Sequence, residues 1–74
     1  MPIFNLNVTE EPNGLVNLDF VFPDQSIRKT VSLPGIRLLA HDLAFLSSRL
    51  TPDQLQDLKP QILDIYAKCL ISRN

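Results

Sequence analysis

Two runs of alternating residues flank a single turn, and together they restrict the first third of this chain to one arrangement. Phe4, Leu6 and Val8 alternate with Asn5 and Asn7, while Val16, Leu18, Phe20 and Phe22 alternate with Asn17, Asp19 and Val21. A period of two is that of a strand with one buried face. The intervening Pro12-Asn13-Gly14 fits a three-residue hairpin loop, with Gly14 taking the left-handed position. This loop pairs Val8 with Leu18, Leu6 with Phe20 and Phe4 with Phe22. A slip of one residue would set apolar side chains against asparagines, so turn chemistry and alternation specify the same register.

Pro23-Asp24-Gln25-Ser26 marks a second turn, and a third strand is expected over Ile27 to Leu33. With a four-residue loop, Phe22 faces Ile27 and Leu18 faces Val31, leaving Lys29 on the inward side. An inward Lys on a terminal strand opposes edge-to-edge aggregation, and its stem covers apolar surface. The other sheet face displays Asn5, Asn7, Asn17, Asp19, Arg28, Thr30 and Ser32.

Pro34-Gly35 closes the sheet and opens a helix expected to run from Ile36 to Leu50. On a helical wheel Ile36, Leu39, Ala40, Leu43, Ala44, Leu46 and Leu50 share a broad face, while Leu38 and Phe45 point the opposite way. One helix with two apolar sides must be covered by the strands, by a second copy or by another protein. Thr51-Pro52-Asp53-Gln54 then combines an N-cap hydroxyl, Pro in the first turn, an early acid and Gln at N3, which announces a second helix. Its stripe is Leu55, Leu58, Ile62, Leu63, Ile65, Tyr66, Cys69 and Leu70, opposite Asp57, Gln61, Asp64 and Lys68. Pro60 interrupts the stripe, predicting a kink or a helix that restarts with Pro60 in its opening turn.

The expected architecture is one α+β domain over residues 1–74, a three-stranded antiparallel β-meander followed by two antiparallel helices (βββαα) packed on one sheet face. A chain of 74 residues buries only about 60–65% of its unfolded surface, so self-association would add to a thin margin of stability. One cysteine and one histidine exclude an intramolecular disulfide and a clustered Cys/His zinc site. With two glycines, neither in a phosphate-binding pattern, there is no phosphate loop. Asp57 and Asp64 suit a solvated helix face, Cys69 suits the core, and nothing in the spacing aligns His41 with Cys69. No catalytic, cofactor or metal residue is assigned, and an enzyme is not expected. No apolar run reaches the ~18–20 residues of a membrane span, and the start lacks a basic signal-peptide region. A cytoplasmic setting is the simplest fit.

Two kinds of partner remain. Leu38 and Phe45, one heptad apart and bordered by His41, Asp42 and Arg49, form an apolar centre with charged edges, as a compact protein interface requires. Asp42 and Arg49 would pair reciprocally across a two-fold axis. Alternatively the same side is core. Arg28, Lys29 and Arg37 lie in a segment richer in bases than the acidic first 27 residues, which raises contact with nucleic acid or another anionic partner. Against it stand a net charge of −1 and a pI near 5.6. The economical expectation is a small homodimer that engages or blocks another protein, a profile shared by small phage or mobile-element proteins. The alternative is a nucleic-acid-associated regulator.

Overall fold

A computed structural model describes residues 5–73. The chain forms two compact units, Met1–Ser32 and Leu33–Asn74. The first is a three-stranded antiparallel sheet in the order β1-β2-β3, built from β1 (Asn5–Glu10), β2 (Val16–Val21) and β3 (Ser26–Val31). The second holds a short helix α1 (Leu33–Leu39), one 3₁₀ turn (Ala44–Leu46) and a long helix α2 (Pro52–Ser72). The chain is therefore a mixed α+β protein whose strands precede its helices.

The first hairpin has the expected register, with Leu6 opposite Phe20 and Val8 opposite Leu18. The expected Phe4–Phe22 pair lies outside the described residues. Gly14 takes φ +90°, and its N–H donates to Glu11 O at 3.0 Å. Asn13 Oδ1 accepts from Leu15 N–H at 3.0 Å, so the loop's side chain also braces its exit.

The second hairpin differs from expectation by two residues. Phe22 N–H donates to Gln25 O at 2.8 Å, which closes a two-residue Pro23-Asp24 turn. Phe20 consequently faces Ile27, and Leu18 faces Lys29 rather than Val31. The strand ladder ends at Val21 and Ser26, with Phe22 and Gln25 closing the turn beyond it. An even shift preserves every side chain's face, so Lys29 still shares the apolar side, where it is half-buried. Val16, Leu18 and Phe20 are fully buried.

The helix expected over Ile36–Leu50 is broken. Ala40 N–H makes the last four-residue bond, to Ile36 O, after which His41 and Asp42 donate to Leu38 O and Leu39 O in tighter three-residue bonds. The chain turns through His41 and Asp42 and resumes as the 3₁₀ turn. This route still buries Ile36, Ala40, Leu43, Leu46 and Leu50. Residues three apart eclipse in a 3₁₀ segment, so Leu43 and Leu46 stay on one side despite the break. Pro34 and Gly35 lie within the first turn of α1, where a missing proline N–H costs no helical bond.

α2 begins with the anticipated capping box. Gln54 N–H donates to Thr51 Oγ1 at 3.2 Å, and Thr51 N–H donates to Gln54 Oε1 at 2.8 Å. The helix does not restart at Pro60, which sits inside one continuous element with its ring on an exposed position. Leu58, Ile62 and Cys69 are buried, while Asp57, Gln61, Asp64 and Lys68 are exposed. α1 and α2 pack together. No helix among the described residues is long and apolar enough to cross a membrane.

Two substitutions test this description. A Cβ at position 14 would meet no atom within 4 Å, so Gly14→Ala carries backbone strain alone and should cost about 1–2 kcal/mol by urea unfolding, with Gly14→Asn costing less. Pro60→Ala restores a helical N–H and should raise stability by about 1–2 kcal/mol, after allowance for the freer unfolded chain. A destabilised Pro60→Ala would contradict a helix running uninterrupted through that position.

Candidate functional site

The break after α1 rearranges the expected interface. Leu38 remains on α1 and is 73% exposed, whereas Phe45 belongs to the 3₁₀ turn and is half-buried. They do not form one heptad-spaced helical face, because the residues between them are not helical. His41 and Asp42 are exposed in the connecting turn, and Arg49 is half-buried in the turn before Leu50. Of the five expected interface residues, Leu38 and His41 are brought together.

They meet in a groove of about 430 Å³ lined by Pro34, Arg37, Leu38, His41 and Tyr66. α1 supplies Pro34, Arg37 and Leu38 at a spacing of about one turn, and α2 supplies Tyr66. Leu38 and Pro34 provide apolar surface, Arg37 an exposed cation, and His41 and Tyr66 a ring with a polar handle. His41 also lines a second groove, of about 330 Å³, with Ala40, Leu43, Ala44, Pro52, Leu55, Gln56 and Lys59. The histidine thus stands between two depressions of the helical unit. Tyr66 and Pro34 were not legible as site residues: Tyr66 falls in the α2 stripe that reads as core, and Pro34 reads only as a helix opener. Further along α2, Leu70 and Ile71 are exposed at 42% and 73%.

Two members of the expected basic segment, Arg28 and Lys29, do not share a surface. Arg28 and Lys29 are consecutive strand residues and therefore point to opposite faces of the sheet. Arg28 is held across the ladder by Asp19, its Nε donating to Oδ1 at 2.7 Å and its Nη2 to Oδ2 at 3.1 Å. This planar two-point pairing engages the guanidinium within the sheet. One step along the same face, Thr30 Oγ1 donates to Asn17 Oδ1 at 2.6 Å, which satisfies an asparagine only 7% exposed. The polar sheet face is thus an organised cross-strand network. Arg37 lies in the helical groove. Cys69 is buried while His41 is exposed, and Ser72 Oγ donates to the carbonyl of Cys69 at 3.0 Å.

No family model, curated protein or solved structure significantly matches the chain.

The Asp19–Arg28 pair has a pH signature. Hydrogen bonding from Arg28, aided by its charge and opposed by burial, holds the Asp19 carboxyl below its ordinary value of 3.8. The folded value lies below the unfolded one, so the ionised pair favours the fold at neutral pH. That contribution fades as pH falls from the unfolded value through the folded one. Arg28→Ala should return the Asp19 titration towards its ordinary position in an NMR pH series. An unchanged titration would show that Arg28 is not the cause.

Proposed function

We propose that this chain is a small non-enzymatic protein-interaction module, a homodimer that binds or blocks another protein through the groove around Leu38. The observation that carries the reading is Leu38 itself, a large apolar side chain 73% exposed beside Pro34, Arg37, His41 and Tyr66. An apolar centre with polar and aromatic groups at its rim supports recognition of a protein segment. Arg37 defines the chemistry further. The matching segment carries an apolar anchor next to a carboxylate, so that the anchor covers Leu38 while the acid meets the guanidinium. Phe45, Asp42 and Arg49 are left out of the contact, which is smaller than the one the sequence suggests.

The test starts with a photo-reactive residue at position 38 of the full chain, in the cells that make it, with exposed Gln61 as the control position. A protein captured from position 38 and not from 61 is then purified and its affinity measured. Leu38→Arg should weaken binding by about tenfold or more, a typical loss for a central anchor, while circular dichroism stays unchanged. Undiminished affinity in folded Leu38→Arg would refute the groove. Capture of nucleic acid, with binding that falls steeply as salt rises, would instead favour the regulator alternative.

A further inference from the structure

The backbone of β1 has an outward row whose identity follows from the two turns. Glu11 N–H donates to Leu15 O, and Phe22 N–H donates to Gln25 O, each at 2.8 Å. Bonded and non-bonded pairs alternate along an antiparallel ladder. Counting back from Glu11, the odd-numbered residues of β1 exchange bonds with odd-numbered residues of β2. Counting back from Phe22, the even-numbered residues of β2 serve β3. The amides and carbonyls of Leu6 and Val8 therefore point away from β2, on a side where no described strand lies.

The two sheet edges are not equivalent. β3 carries Arg28 and Lys29 at its centre, and charges there discourage pairing with another chain. β1 reads Asn5-Leu6-Asn7-Val8-Thr9-Glu10, with no Lys, Arg, Pro or Gly, and with its one charge at the end. Val8 is 39% exposed. This edge lacks the usual sequence devices against association.

We propose that β1 pairs antiparallel with β1 of a second copy about a two-fold axis at Asn7, joining two sheets into one of six strands. The proposal rests on the homodimer part of the reading above and assigns its contact to the sheet instead of the helical groove. Its register follows from matching like with like. Leu6 lies opposite the partner's Val8, Asn7 opposite the partner's Asn7, and Asn5 opposite the partner's Thr9. The Leu6–Val8 pairs are also those whose backbone groups face outward, so each exchanges two hydrogen bonds. A shift of one residue would oppose an outward row to an inward one. A change of register that brings Val8 opposite Val8 draws Glu10 into the described ladder, opposite Leu6, whereas the register centred on Asn7 pairs residues Asn5 to Thr9 alone. The edge is complementary to itself in both side-chain pattern and backbone direction, which identifies the occupant as a second copy.

In this register Asn7 forms a non-bonded pair with its symmetry mate, with Cα atoms about 4.5 Å apart, inside the span of a disulfide. Two Thr9 residues would be four positions out of alignment, about 13 Å apart. In a Cys69→Ala background, Asn7→Cys should therefore form a covalent dimer under mild oxidation and Thr9→Cys should not. In parallel, sedimentation equilibrium on the Cys69→Ala chain, from ~10 µM to ~1 mM to cover the weak association a short interface gives, should show a dimer. Val8→Lys should abolish the dimer without changing circular dichroism, and Leu38→Arg should leave it intact. A single-chain mass over the whole range would overturn both this pairing and the homodimer reading. A dimer that survives Val8→Lys, that cross-links equally through Thr9→Cys, or that is lost in Leu38→Arg would overturn the edge pairing alone and leave the homodimer reading in place.

Discussion

The register of the first hairpin is the constraint on which the rest of the sheet depends. Gly14 supplies a backbone conformation strained for other residues, and the three-residue loop it permits brings Glu11 opposite Leu15. From that one pairing, the parity of every residue in β1 and β2 follows, and the Phe22–Gln25 turn extends it to β3. Even-numbered residues of β2 turn Val16, Leu18 and Phe20 inward, and odd-numbered ones carry Asn17 and Asp19 to the polar face. The same parity decides which backbone groups of β1 engage β2 and which face outward. Side-chain burial and edge chemistry are two consequences of one turn.

The polar face adds specificity to that register. Asp19 can meet Arg28, and Asn17 can meet Thr30, only when β2 and β3 are aligned as they are. An exposed ion pair contributes modestly to stability. A buried Asn17 without Thr30 would carry an unmet polar group, so a misaligned sheet is disfavoured from both faces. This explains why a basic residue that reads as available for an anionic partner is occupied within the fold.

Much of this was legible in the sequence, and the exceptions have physical causes. The first hairpin and the α2 cap were readable because single residue types do specific work there: Gly14 at a positive φ, Thr51 and Gln54 in reciprocal hydrogen bonds. The second hairpin kept its faces but moved by two residues, since alternation reports parity and cannot distinguish registers that share it. The break after Ala40 escaped because a helix and a 3₁₀ turn place residues three or four apart on the same side. Ile36, Ala40, Leu43, Leu46 and Leu50 satisfy either path. The site suffered most from that ambiguity. Leu38 and Phe45 are neighbours only on an unbroken helix, and Tyr66 meets Leu38 only through packing of α1 on α2, which local periodicity does not encode.

Residue-resolved amide hydrogen exchange across β1, in dilute solution, tests the parity of the sheet most directly. The account predicts slow exchange at Asn7 and Thr9, whose N–H groups bond to β2, and fast exchange at Leu6 and Val8, whose N–H groups face outward. Protection at Leu6 and Val8 with rapid exchange at Asn7 and Thr9 would contradict it, since the register would then be displaced by one residue and the assigned edge would not exist.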